Sequence, residues 1–317
     1  TNFAFMDKLQ NLSLSVVIPT FNEEGNIDKL IDELSITLTE IDVSEYEIIF
    51  VDDGSTDQSL HKIKEHSKSD SRIKYISFSK NFGHQLAVKA GIDFAEKQGV
   101  ISMDADLQHP VELIPKMIDK WQKGADVVFT KRIDKELPWF KKWSSKLFYK
   151  FVNSISQVHL EEGIADFRLL DRKVVLALRE FKESNLFIRG IIPSLGFRQE
   201  AIEYTPNPRF SGETKYSFSK MIRFALTGIT SLSAKPLYFS IYLGLFFAFL
   251  AFLYGVYAIY IFSFGHEAIP GWTSIIASIL LIGGIQLIMI GIIGVYLGKL
   301  FAQSKQRPNY IIGEKNF

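Results

Sequence analysis

The sequence predicts a doubly wound, mostly parallel α/β domain followed by two apolar helices, and three observations carry that prediction. Short runs rich in Val, Ile and Phe alternate with amphipathic segments over the first half of the chain. Charged residues make up 22% of the whole, yet between Lys235 and Lys299 the only one is Glu267. Cysteine is absent, which excludes a disulfide framework or a thiolate metal site and suits a reducing compartment.

The apolar runs 14–18, 47–51, 73–78, 100–103 and 126–129 have the length and composition of strands buried on both faces. Helical patterns over 26–38, 59–66, 85–97 and 111–123 separate them, the last with Pro110 just ahead, where a missing N–H costs little. Strand and helix in alternation build a sheet wound on both faces. Ligands bind such sheets beyond the carboxyl ends of the strands, so those ends are where chemistry is sought.

The last third differs. Residues 236–264 carry no charge and include sixteen Leu, Ile, Val or Phe. As a helix that segment is about 40 Å long, enough to cross a hydrocarbon core of about 30 Å with some tilt. A second, Gly-rich candidate span covers 273–298, and the connector 265–272 has no Lys or Arg. Lys220, Arg223 and Lys235 precede the first span, while Lys299, Lys305 and Arg307 follow the second, so the positive-inside bias places both ends in the cytoplasm. The expected organisation is a cytoplasmic domain over 1–215, a juxtamembrane helix over 216–235, two spans within 236–298 and a cytoplasmic tail over 299–317. Residues 1–11 lack the basic start and long apolar stretch of a secretory signal, so the first domain is expected to stay on the side where it is made. Net charge is +1 with the signs interspersed, which gives no reason to expect nucleic acid as a partner.

Two carboxylates two residues apart, Asp104 and Asp106, end the fourth predicted strand, followed by Leu107 and Gln108. Residues i and i+2 of an extended chain point the same way, so both acids would face one ligand. A hard divalent cation takes oxygen ligands and can bridge the phosphates of a nucleotide sugar. The second strand ends in Val51-Asp52-Asp53-Gly54-Ser55-Thr56-Asp57 and the first in Ile18-Pro19-Thr20-Phe21-Asn22-Glu23-Glu24. Asp57 and Asn22 also suit helix capping.

Pro19-Thr20-Phe21-Asn22-Glu23, Val51-Asp52-Asp53-Gly54-Ser55, Asp104-Ala105-Asp106-Leu107-Gln108 and Asp166-Phe167-Arg168-Leu169-Leu170 together resemble the signature set of family 2 glycosyltransferases. The likeness is to the polyisoprenyl-phosphate branch, which includes dolichyl-phosphate mannose synthase and bacterial bactoprenol glucosyltransferases. It implies a GT-A fold, inversion at the anomeric carbon and a divalent metal, Mg2+ or Mn2+, held by Asp106 and Gln108. Pro19, Phe21, Glu23, Val51 and Asp53 would hold the base and ribose of the donor, and Asp104 with Ala105 would lie against the ribose or diphosphate. Arg209 and Lys215 match the family's Arg-x5-Lys loop, which clamps the diphosphate. Thr130-Lys131-Arg132 stands where the family often has Gly-Ser-Arg; Arg132 keeps the cation of the site, and the missing Gly changes the local backbone.

Asp166 is the candidate base. A phosphate monoester has a second pKa near 6, so the acceptor is already mostly a dianion at neutral pH, and Asp166 can equally orient the acceptor or Arg168. Aromatics mixed with Lys over 139–151 suit a helix at a membrane surface or one packed on the domain's own core; Lys142 and Lys146 there, with Arg132, are the candidate contacts for the acceptor phosphate. Residues 217–233 read as a second juxtamembrane helix. The histidines show no metal-ligand spacing.

The expected activity is transfer of glucose or N-acetylglucosamine from a UDP-sugar to undecaprenyl or another polyisoprenyl phosphate, at the cytoplasmic face of the inner (plasma) membrane, for cell-envelope glycans. GDP-mannose is the alternative donor. A processive polysaccharide synthase would add a Gln-x-x-Arg-Trp motif and more spans, and neither is present; a catalytically silent membrane scaffold is the alternative of another class. A homo-oligomer, if one forms, would assemble through the transmembrane and juxtamembrane helices.

Overall fold

The computed structural model describes residues 12–41, 43–133, 163–183, 187–205, 235–263 and 271–317. Its N-terminal part is a sheet on which strands β1 (Ser13–Thr20), β2 (Glu45–Asp52), β3 (Ile73–Phe78) and β4 (Gly99–Ser102) all run parallel. β5 (Val127–Arg132) pairs in parallel with β7 (Gln199–Tyr204), and β6 (Ile164–Asp171) lies antiparallel between β4 and β5. A last strand, β8 (Ile312–Lys315), lies antiparallel on β3, so the order is β7-β5-β6-β4-β1-β2-β3-β8. The mostly parallel sheet is therefore mixed at two places, and β6 brings its start, rather than its end, to the edge where β1 to β4 finish.

Helices α1 (Ile27–Glu40), α2 (Ser59–Ser69), α3 (His84–Phe94) and α4 (Ile114–Gln122) occupy the connections, with a 3-10 turn, Val111–Leu113, leading into α4. They are followed by α5 (Arg172–Arg179) and α6 (Ile188–Ser194). Period-two alternation divides the strand side chains between the faces. Leu14, Val16 and Ile18 pack with Leu30 and Leu34 of α1 and Met117 and Trp121 of α4. Val17, Ile49 and Val51 pack with Ala87 and Val88 of α3, Val174 and Leu178 of α5 and Ile191 of α6. Each fully buried Val, Ile or Leu stabilises by about 1.5–3 kcal/mol relative to exposure.

Gly91 lets α3 lie close on the sheet: a Cβ there would sit 2.1 Å from Val17 Cγ1. That contact fixes where the N-terminus of α3 stands over the strand ends. The helix predicted to reach residue 97 stops at Phe94, because Ala95 turns extended and its carbonyl accepts from Arg172 Nη1 at 2.6 Å and Arg179 Nη2 at 2.7 Å.

Two long helices, α7 (Lys235–Ser263) and α8 (Trp272–Ser304), follow. Their stretches Leu237–Tyr257 and Leu281–Ser304 are long and apolar enough to cross a membrane, and among the described residues none buries them. The segment 299–317, expected as a tail, is divided. α8 continues to Ser304, and the chain then returns to the sheet as β8. Asn316 secures it by accepting from Tyr75 N at 2.8 Å and donating through Nδ2 to Ile73 O at 3.3 Å. Tyr310 stacks on Phe78, Phe317 meets Phe94 edge-on, and Glu314 pairs with Lys64.

Candidate active site

The loops after β1 and β2 are zipped together by side chains bonding across to backbone. Asn22 N donates to Ser55 Oγ at 3.0 Å, and Thr56 N returns a bond to Asn22 Oδ1 at 2.8 Å. Glu23 N donates to Ser59 Oγ at 2.8 Å. Asn22 has φ +56°, a left-handed conformation that its short amide tolerates, so it bridges loops and does not cap a helix. Asp57 does both: Oδ1 accepts from Ser59 N at the start of α2, and Oδ2 accepts from Glu24 N. Asp52 accepts from Ser55 N at 3.0 Å and Ser77 Oγ at 2.8 Å. Asp53 accepts from the amides of Phe82 at 2.6 Å and Gly83 at 2.9 Å, while burial pushes its carboxyl above the usual range. Phe21 projects from this edge as an exposed aromatic, whereas Pro19 and Val51 are paired in register and buried. Glu23 accepts from Asn26 Nδ2 at 2.6 Å.

Across the edge, the Asp104–Gln108 turn follows β4. Leu107 has φ +58°, which a side chain branched at Cγ rarely adopts, so the turn is held in a strained shape. Asp106 Oδ1 accepts from Gln108 N at 3.2 Å, and Ala105 is buried beneath. Asp104 Oδ2 faces His109 Nε2 at 3.2 Å, and His109 Nδ1 faces the Tyr204 hydroxyl at 3.0 Å. Asp104 Oδ1 is a buried oxygen with no hydrogen bond, 3.4 Å from His84 Nε2. Burial opposes ionisation of Asp104, but His84 and His109 outweigh it and hold the carboxyl below its ordinary value.

The centre of the arrangement is Asp166, 5% exposed at the start of β6. Arg189 of α6 grips it with two bonds, Nε to Oδ1 at 2.9 Å and Nη2 to Oδ2 at 2.7 Å. Arg168 Nη2 donates to Oδ1 at 3.1 Å, and His84 Nε2 lies 3.3 Å from Oδ2. The Ser102 hydroxyl pins the Asp166 carbonyl at 2.7 Å. Burial alone would raise this carboxyl; the two guanidinium groups and His84 instead hold it well below the carboxylate range. His84 stands at the opposite extreme. Burial disfavours its charge, yet Asp104 and Asp166 lift it to about 9, so the ring is cationic at neutral pH.

Asp53, Asp104, Ala105, Asp106, Gln108 and Asp166 are thus gathered at one edge, with His84 also acting through space on Asp53. Arg132 ends β5 with its side chain exposed, and its amide donates to Gly163 O at 2.8 Å. Lys142, Lys146, Arg209 and Lys215 lie outside the described residues. Sequence reasoning missed Arg189 and Tyr204 and set His84 and His109 aside, because it sought metal ligands where the histidines serve carboxylates. The position of His84 behind Gly83, opening a helix that runs back from the strand ends, was the available signal.

A mostly parallel sheet with acidic groups gathered where β1 to β4 finish is the architecture of a GT-A domain. The family model "Glycosyl transferase family 2" matches residues 15–178, and the chain belongs to that family. An uncharacterized glycosyltransferase of Bacillus subtilis, YkcC, is 40% identical over 304 residues, 96% of this chain and 94% of its own. A bactoprenol glucosyl transferase of Shigella phage SfV is also 40% identical, over 95% of this chain and 98% of its own. Among solved structures, glucosyl-3-phosphoglycerate synthase of Mycobacterium tuberculosis in complex with Mn2+ and UDP-glucose matches with a TM-score of 0.45 and 15% identity, covering 73% of this chain and 81% of that one.

Proposed function

We propose that this chain moves a hexose, glucose or N-acetylglucosamine, from a UDP-sugar to a polyisoprenyl phosphate such as undecaprenyl phosphate, with inversion, at the cytoplasmic face of the inner membrane, for cell-envelope glycans. The observation that carries the reading is the Asp104–His84–Asp166–Arg189 constellation at the strand ends, followed in the same chain by two helices able to cross a membrane. The near-full-length likeness to a bactoprenol glucosyl transferase supports it.

A phosphate oxygen of the acceptor forms the new bond to the anomeric carbon while the bond from that carbon to the donor diphosphate breaks, and the nucleotide diphosphate leaves with the electron pair. Phe21, Glu23 and Asp53 form the wall for base and ribose, with the strand ends at Pro19 and Val51 as its floor. Asp104 lies against the ribose or diphosphate, with Ala105 beside it. Arg209 and Lys215 clamp the diphosphate, and Arg132, Lys142 and Lys146 receive the acceptor phosphate.

The residues fit a hard divalent cation. Among the described residues no group of three or more His, Cys, Asp or Glu could enclose one, but Mg2+ is commonly held by one or two carboxylates with substrate phosphates completing its shell. Asp106 with Gln108 on the strained turn supplies that kind of partial site. Bound there, Mg2+ or Mn2+ would neutralise charge on the departing diphosphate.

Asp166 is a positioning group in this reading. A carboxylate held by two arginines and a cationic histidine is a weak proton acceptor, and a phosphate dianion needs none. Incubating purified protein with UDP-glucose, UDP-N-acetylglucosamine or GDP-mannose, undecaprenyl phosphate and Mg2+ or Mn2+, followed by mass analysis of the lipid, tests the proposal. A lipid-linked hexose from a UDP-sugar is expected; none from any donor would overturn it.

A further inference from the structure

A crevice of about 880 Å³ lies between the back of the domain and the end of α8. The last turn of the apolar stretch, with Ala302 and Gln303, forms one wall, and α3 and α5 form the other. The walls are tied together: Gln303 Nε2 donates to Lys182 O at 3.3 Å and Asn309 Nδ2 to Glu183 O at 2.9 Å.

Its lining is cationic. Lys89, Arg179, Lys182 and Arg307 line it with one carboxylate, Asp93, which is already paired with Lys89 and bonded by Tyr310. Arg179 spends Nη2 on the carbonyls of Ile92 and Ala95, but its Nε is buried and makes no hydrogen bond. Lys182 and Arg307 are exposed at the mouth.

We infer that this crevice binds the phosphate head group of an anionic membrane phospholipid and so holds the domain against the bilayer. The inference rests on reading α8 as a membrane span. If Leu281–Ser304 crosses the hydrocarbon core, Gln303, Gln306 and Arg307 stand at the depth of the head groups, where each basic residue adds about 1 kcal/mol of attraction to anionic lipid. The ligand is not the acceptor of transfer. α3 begins at His84 in the active site, and Asp93 lies nine residues further along it, about 13 Å away. A phosphate held beside Asp93 and Arg179 is therefore out of reach of the Asp104–Asp166 edge.

The full chain is reconstituted into vesicles of phosphatidylcholine alone or with phosphatidylglycerol, recovered by flotation, extracted in mild detergent, and scored by native mass spectrometry for retained phosphatidylglycerol. Wild type should retain it. The double variant Lys182→Gln/Arg307→Gln, both exposed and unlike Arg179 free of any part in helix capping, should bind it roughly thirtyfold more weakly, the combined effect of two lost head-group cations. Lys123→Gln, an exposed charge paired with Asp119 at the end of α4, should behave as wild type. Equal retention by wild type and the double variant overturns the site alone. Displacement of the lipid by millimolar inorganic phosphate, or replacement by undecaprenyl phosphate in preference to phosphatidylglycerol, overturns the assignment of the occupant. Failure to float with either vesicle overturns the membrane reading of α8 and this inference with it.

Discussion

Replacing Asp166 with Asn separates positioning from proton transfer. The amide keeps the shape of the carboxyl, but one of its two acceptor oxygens becomes a donor, which then faces a guanidinium. Arg168 loses its counter-charge at 3% exposure, whereas Arg189, with 31% of its side chain exposed, turns partly to water. Breaking a buried ion pair from one side costs about 3–5 kcal/mol, and the relief available to Arg189 places this variant at the lower end. At about 2–4 °C per kcal/mol for a domain of this size, the melting temperature should fall by roughly 6–12 °C near neutral pH. The carboxyl of Asp166 is depressed in the folded state, so its stabilisation is fully present above the ordinary carboxylate value and is lost as pH falls through the folded one. The gap between wild type and variant should therefore be widest near neutrality and narrow below about pH 4. In single-turnover transfer with saturating donor and metal, the variant should be about 10²-fold slower, and the deficit should stay constant from about pH 5 to 7, while the acceptor passes from monoanion to dianion. A deficit that closes as pH rises would make Asp166 the base and refute the positioning role; a variant matching wild type throughout would remove Asp166 from the site.

Three other outcomes are expected. Gly54→Ala places a methyl 2.6 Å from Lys80 C and 2.8 Å from Asn81 N at φ +72°, so it should cost about 1–3 kcal/mol and weaken donor binding; an unchanged melting temperature and donor KM would reject the loop geometry. Asp106→Ala should abolish transfer, and a metal titration giving wild-type activity and metal dependence would reject Asp106 as the metal's anchor. Arg209→Ala and Lys215→Ala should each weaken donor affinity by about 1.5–3 kcal/mol, roughly 10- to 150-fold, and calorimetry with unchanged affinity in both would place that loop elsewhere.

The alternating first half was legible because strands buried on both faces are continuous Val, Ile and Phe runs, and β1 to β5 lie within a few residues of where those runs fall. β7, Gln199–Tyr204, alternates with charged residues and made no such run. β8 is four residues, and its partner β3 is more than two hundred residues earlier, a pairing no local pattern encodes. At the site, the acidic motifs announced themselves by spacing, since neighbours on one strand end share a face. Arg189 sits in Phe187-Ile188-Arg189-Gly190, where nothing local distinguishes it from a surface arginine; only packing of α6 against the α3 and α5 face of the sheet brings it to Asp166. The roles of His84 and His109 are likewise set by which carboxylates the fold places opposite them.

The placement of β8 also dictates an order of events on the ribosome. β3 is finished at Phe78, but its neighbour begins at Ile312, after α7 and α8 have been made. At about 5–20 residues per second, roughly 10–50 s separate the two. Throughout that interval the outer rim of the nascent sheet offers unpaired amides and carbonyls to any passing extended chain. Completion of the sheet therefore waits for Ile312–Lys315 to leave the exit tunnel, and a chain stalled or cut before them would be released with an adhesive edge exposed.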